Sequence, residues 1–172
     1  MSALEQSYRY CSAVARSKAK NFYYSFLLLT RNQRESMCAI YAFMRACDDL
    51  SDDPDIAGAA ALAKWREELG RALEGHYGSH PCWPAFHDTV RRYHIPSHYF
   101  YDMIDGVSSD LEPRQIETFP ELYHYCYQVA SVVGLTIIHV FGYQSEHALE
   151  LAEKCGVAFQ LTNILRDVRE DC

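Results

Sequence analysis

Tyr41, Arg45, Asp48 and Asp52, and much later Gln160, Asn163, Asp167 and Asp171, follow one spacing, and each set ends in two aspartates four apart. At about 3.6 residues per turn, offsets of 0, 3 or 4, 7 and 11 return to one side of a helix, so each set forms a polar stripe. Aspartate is a mediocre helix former and like charges one turn apart repel, so such pairs call for a compensating partner. Divalent cations supply one. Magnesium takes a carboxylate or two and completes its shell with water and phosphate oxygens, and manganese accepts similar donors. Two such faces turned toward one cleft would hold diphosphate through metal ions.

A plainer account stands beside each of these. Asp48, Asp49, Asp52, Asp53 and Asp55 could be a solvated acidic helix end. Arg45 could reach a diphosphate or simply pair with Asp49. Gln160 and Asn163 could position ligand or water, or join two helices by a hydrogen bond. The flanks favour burial: Ala42, Phe43, Met44, Ala46 and Cys47 surround the first stripe, and Val157, Ala158, Phe159, Leu161, Ile164 and Leu165 surround the second. Both helices are therefore expected to be largely buried. Phe22, Tyr23, Tyr24 and Phe26 before the first stripe, and Tyr123, Tyr125 and Tyr127 before the second, are core fillers by default. They also suit a prenyl group, whose allylic cation aromatic faces can steady.

Helices positioning these stripes are predicted over residues 3–18, 30–52, 59–73, 85–93, 97–106, 118–141 and from Ser145 onward. Thr30 is expected to cap the second with Gln33 as its partner, and Asp53-Pro54 to stop it. Thr118, Pro120 and Glu121 open a segment apolar enough to be a central helix. No strand alternation is visible, so the fold class is all-α, and 172 residues at 49% hydrophobic content suit a single helical domain over 1–172. Sixteen basic residues against 23 acidic, for a net charge of −7, argue against a nucleic-acid footprint. Seven scattered cysteines without a C-x-x-C pair suggest reduced thiols and a cytoplasmic setting. No signal peptide is visible at the N-terminus. The apolar run 129–142 is short for a bilayer span, so peripheral membrane contact is the form of membrane association left open. His87-Asp88 and eight histidines raise a helical metal-dependent phosphohydrolase as a further alternative, although His76, His80 and His87 lie near a predicted loop and are expected to be solvated.

Tyr41-Ala42-Phe43-Met44-Arg45-Ala46-Cys47-Asp48-Asp49-Leu50-Ser51-Asp52 resembles the first aspartate-rich motif of the squalene and phytoene synthase family. Gln160-Leu161-Thr162-Asn163-Ile164-Leu165-Arg166-Asp167-Val168-Arg169-Glu170-Asp171 is similar to its second. Tyr125 to Ala130 with Val133-Gly134 is similar to the family's central helix, and Lys20-Asn21-Phe22-Tyr23 to its substrate-binding segment. The resemblance implies an isoprenoid synthase-type helical bundle, C-terminally truncated relative to the family, and a monomer. It implies head-to-head condensation of two farnesyl or geranylgeranyl diphosphates, through a cyclopropylcarbinyl diphosphate, to squalene or phytoene, with NADPH needed only for squalene. By the same resemblance, Asp48, Asp52, Asp167 and Asp171 would hold Mg2+ (or Mn2+), and Lys20, Asn21 and Arg45 would meet diphosphate. Tyr41, Gln160 and Asn163 would line the reacting centre. Phe22, Phe26, Tyr125, Val129, Val133 and Gly134 would line the prenyl pocket. A non-catalytic binder or assembly protein of the same fold is the remaining alternative.

Overall fold

The computed structural model describes residues 1–52, 58–111 and 115–171, with the side chains at positions 20, 21, 52 and 169–171 outside that description. Among the described residues every regular element is helical: α1 Ala3–Lys18, α2 Lys20–Phe26, α3 Arg31–Asp52, α4 Gly58–Leu73, α5 Trp83–Arg92, α6 His98–Ser109, α7 Phe119–Cys126, a π-helical turn Tyr127–Ser131, α8 Val132–Phe141 and α9 His147–Asp171. Their contacts gather into two compact units, Met1–Ser97 and His98–Cys172, each of which is described by itself.

Capping chemistry sets several of these boundaries. At α1 the Glu5 N–H donates to Ser2 Oγ while the Ser2 N–H donates back to Glu5 Oε2 at 2.7 Å, satisfying two donors that a bare helix start would leave open. Thr30 does for α3 what its position predicts: the Gln33 N–H donates to Thr30 Oγ1, and the Thr30 hydroxyl donates to Gln33 Oε1 at 2.8 Å. Thr118 and Glu121 form a second reciprocal pair at the start of α7. One helix was not expected. Lys20–Phe26 is helical because Ala19 stays in right-handed helical geometry after α1, so the chain turns without leaving helical backbone and the Phe22 N–H donates to Ala19 O at 2.8 Å.

In the first unit α3 packs on α1, α4 and α5. Phe43, fully buried, stacks on Phe86 at 4.6 Å between ring centroids and lies 5.8 Å from Trp65, which meets Trp83 at 4.2 Å. The Trp83 indole donates to Glu68 Oε2 at 3.0 Å, giving a buried carboxylate a partner. Phe43 lies two residues, or roughly 200°, around the helix from Tyr41. Anchoring Ala39, Phe43 and Cys47 in the core thus turns the Tyr41 stripe away from it.

His80 departs from the solvated role expected of it. It sits half-buried edge-on to Trp65 and Tyr10, and its Nδ1 accepts the Cys82 N–H at 3.4 Å. Burial pushes its imidazole below the ordinary value of 6.5, with Glu68 opposing. The unfolded chain therefore takes up a proton that the folded chain resists, so the stabilisation is present above pH 6.5 and is lost as pH falls through the folded value. Urea midpoints are expected to drop between about pH 7.5 and 5.5, and to drop less in His80→Asn. Equal pH slopes in the two proteins would remove His80 from this account.

The second unit corrects the expected continuous helix over 118–141. Its middle is a π-helical turn, Tyr127–Ser131, which holds one residue more than an α-turn. Two glycines make room for it. A β-carbon on Gly106 of α6 would stand 3.1 Å from the Gln128 backbone, and one on Gly156 of α9 would stand 2.4 Å from Ser131 Cα. Ser131 Oγ donates to Glu153 O at 2.7 Å, tying the turn to α9. Phe119–Phe141 taken whole is 23 residues and apolar enough by length and composition to cross a membrane. Cys126, Gln128, Ser131, Val132, Leu135, Thr136 and Val140 along it are buried within the unit.

Candidate functional site

Tyr41, Arg45 and Asp48 stand in register on α3, in the first unit. Tyr41 and Arg45 are half-buried and Asp48 is exposed, so the stripe runs from the protein surface outward to solvent. Burial, reinforced by the carboxylates of Asp48 and Asp49 against the opposing pull of Arg45, pushes the Tyr41 hydroxyl up and leaves it a neutral donor at physiological pH. Arg45 pairs through Nη2 with Asp49, the plainer role weighed for it, while its Nε is buried without a hydrogen-bond partner. A cavity of about 420 Å³ takes Arg45 and Asp49 into its lining together with Tyr10, Trp65 and His80. Neither Tyr41 nor Asp48 lines it. Arg45 thus stands at the edge between that hollow and the stripe. The side chain of Asp52 lies outside the described residues.

The second stripe grows out of a packing contact. Gly156, Gln160, Asn163 and Asp167 are spaced by four, three and four, so the glycine that seats the π-turn begins the same face that carries the polar groups. Sequence reasoning passed over Gly156, although its spacing was there to be read. Asn163 Nδ2 lies 3.5 Å from Gln160 Oε1, a contact at the limit of a hydrogen bond. Asp167 is gripped by Arg166, Nε to Oδ1 at 2.6 Å and Nη2 to Oδ2 at 2.9 Å, and this guanidinium holds its carboxyl below the usual range. The side chain of Asp171 lies outside the described residues. The flanks of this helix are only partly buried as expected: Val157 is buried, whereas Phe159 and Leu165 are 67% and 76% exposed.

The residues expected to line a prenyl pocket divide between the units. Phe22 is 70% exposed on α2 and Phe26 half-buried; the side chains of Lys20 and Asn21 lie outside the described residues. Tyr125, Val129, Val133 and Gly134 follow one another through the π-turn, all partly exposed. An inserted residue turns the helix beyond it back by about 100°, so Val133 comes near the line of Tyr125, where an unbroken helix would leave it roughly 80° away. Val129 leans toward α6, with Cγ1 3.1 Å from where a Gly106 β-carbon would be. Gly134 opens only an ordinary contact, 3.5 Å to Ala152 O, which favours its plainer role in packing α8 on α9.

As to metal, the described acids of the two stripes are solvent-accessible carboxylates, and among the described residues no three His, Cys, Asp or Glu side chains gather as a closed site. Sparse, open carboxylates fit magnesium, which leaves most of its shell to water and phosphate, better than zinc or calcium.

A chain helical throughout its described regular structure, with an acid-bearing stripe on each of two long helices, is an all-α protein of the isoprenoid synthase type. It belongs to the squalene/phytoene synthase family, whose model matches residues 15–172. It is 39% identical over 177 residues to a chloroplastic phytoene synthase of Daucus carota, covering 98% of this chain and 44% of that protein. The crystal structure of squalene synthase HpnC from Alicyclobacillus acidocaldarius superposes with a TM-score of 0.89 at 28% identity, covering 98% of this chain and 64% of that one. A dehydrosqualene synthase solved in complex with ligand gives 0.86 at 34% identity, covering 98% and 59%. The chain thus spans about half the length of the curated relatives it matches.

Proposed function

We propose that the protein carrying this chain is a magnesium-dependent prenyl transferase that joins two molecules of farnesyl or geranylgeranyl diphosphate head to head. We take residues 1–172 as one helical domain of a monomeric cytoplasmic enzyme. The first allylic diphosphate ionises, its carbocation adds to the double bond of the second, and loss of a proton closes a cyclopropylcarbinyl diphosphate. Loss of the second diphosphate and ring rearrangement then give squalene, when NADPH supplies hydride, or phytoene, when a proton leaves. Mg2+, when bound, neutralises the departing diphosphate. Asp48, Asp52, Asp167 and Asp171 would hold it. Arg45 would exchange Asp49 for diphosphate oxygens, and Tyr41, Gln160 and Asn163 would orient the reacting carbons by neutral hydrogen bonds. Phe22, Phe26, Tyr125, Val129 and Val133 would keep water from the cation, with Lys20 and Asn21 at the phosphates.

The observation that carries this is the pair of open carboxylate stripes on α3 and α9 within a member of this family. Product analysis by mass spectrometry, with each diphosphate and with or without Mg2+ and NADPH, tests it. Squalene or phytoene formed only with Mg2+ is the expected result. Tight binding of a prenyl diphosphate without turnover would favour the non-catalytic alternative, and phosphate release from non-prenyl nucleotides would favour a phosphohydrolase; either outcome overturns the transferase.

A further inference from the structure

His87 and Asp88, which no step of the proposed reaction uses, stand on α5 and line an open hollow of about 640 Å³ in the first unit. Arg91 and Arg92, in the last turn of the same helix, line it with them. Arg92 Nη2 donates to Asp88 Oδ2 at 2.7 Å, and that oxygen also accepts the Tyr8 hydroxyl at 2.6 Å. The one carboxylate lining the hollow is thus engaged already. Arg91 is exposed and takes part in no ion pair among the described residues.

Neutral groups stand beside these charges. The Tyr77 hydroxyl and His87 Nδ1 lie 2.8 Å apart, and both side chains line the hollow. Burial, with Arg91 adding to it, pushes the His87 imidazole below its ordinary value against the pull of Asp88. A neutral imidazole whose Nδ1 accepts the tyrosine proton carries its own proton on Nε2 and can donate from there. The first turn of α1 lines the hollow too, and helix geometry leaves the Ala3 and Leu4 N–H groups without intrahelical acceptors. Leu4, Pro84 and the half-exposed Tyr77 ring add apolar surface.

We propose that this hollow binds a small organic phosphate monoester. Arg91 would hold the phosphate, with Arg92, His87 Nε2 and the α1 amides as further donors, and the organic body would rest on Tyr77, Pro84 and Leu4. With Arg92 counted against Asp88, the lining keeps the positive charge of Arg91, in a chain of net charge −7. Planar guanidinium groups and several N–H donors suit a phosphate, which accepts from many directions. The volume is that of a small-molecule site and exceeds what a bare phosphate fills. Neither stripe contributes a residue to the lining, so the inference stands apart from prenyl transfer and neither result decides the other.

Isothermal calorimetry on the protein without Mg2+, with phenyl phosphate and inorganic phosphate as probes, tests it. One phenyl phosphate per chain is expected, with inorganic phosphate about fivefold weaker or more because it leaves the apolar wall uncovered. Arg91→Gln should weaken phenyl phosphate by about tenfold, whereas Arg45→Ala, on the first stripe, should leave its affinity within about twofold. In proton NMR, the histidine ring signal that disappears in His87→Gln should move as phenyl phosphate is added, and should stay fixed in Arg91→Gln. Arg91 is exposed, so its replacement spares the core, and a far-UV dichroism spectrum matching the parent's checks the fold. Absence of phenyl phosphate binding, equal affinity for inorganic phosphate, binding lost in Arg45→Ala but kept in Arg91→Gln, or an unmoved His87 signal overturns the proposal.

Discussion

Asp48→Ala is expected to lower product formation by on the order of 10²- to 10³-fold, and Asp167→Ala by a similar factor, with the fold intact in both. Each carboxylate is accessible to solvent, so neither removal opens a buried cavity. On the proposed function the loss would fall on charge neutralisation of the departing diphosphate, worth several kcal/mol in a metal-assisted ionisation. Arg166 keeps Asp167 ionised to lower pH than a free carboxylate, so the second stripe retains its anion as the medium is acidified. Two controls sharpen the expectation. Raising Mg2+ should recover part of the activity of either single variant, because under the proposed assignment the remaining acids would still bind metal, more weakly. Asp49→Asn should be far milder, since it removes only the ion-pair partner of Arg45 and leaves the stripe whole. Turnover unchanged in both Asp48→Ala and Asp167→Ala would sink the metal assignment.

Local chemistry explains where reading the sequence succeeded. The α1 range, the Thr30 cap and the Thr118–Glu121 start follow from side chains that reach only three residues, so pattern alone locates them. The polar stripes are legible for the same reason, because helical spacing fixes a face without reference to anything distant. What failed depends on partners. The π-turn exists because Gly106 and Gly156 leave space on either side of Gln128 and Ser131, residues more than 20 positions away in sequence. The short α2 has no capping side chain at its start, so no signal marked it. Phe159 and Leu165 looked buried because apolar type reports what a side chain is suited to meet, not whether the described unit supplies it. His80 looked solvated because it sits between a turn and Pro81, yet Trp65 and Tyr10 close over it.

Gly156→Ala should destabilise the protein by about 3 kcal/mol or more, while Gly134→Ala, on the helix facing it, should be neutral or stabilising by up to ~1 kcal/mol. Both substitutions gain the same helix propensity, so the contrast isolates packing. At Gly156 the new methyl would meet Ser131 Cα at 2.4 Å, Ser131 N at 2.7 Å and Ser131 Oγ at 2.8 Å, and two of these are backbone atoms of a π-turn that cannot rotate aside. At Gly134 the nearest atom is Ala152 O at 3.5 Å, an ordinary contact. Relief at Gly156 requires α9 to move off the turn, stretching the bond from Ser131 Oγ to Glu153 O, or the turn to rewind as α-helix and carry Val133 away from Tyr125. Either response displaces a candidate functional face, because Gln160, Asn163 and Asp167 continue the line of Gly156. Activity of any folded Gly156→Ala fraction should therefore fall as well, whereas Gly134→Ala should keep its stability. Denaturant midpoints for the two variants decide it: a Gly156→Ala protein as stable as the parent would show that α9 does not rest on the π-turn, and the orientation given to the second stripe would fall with it.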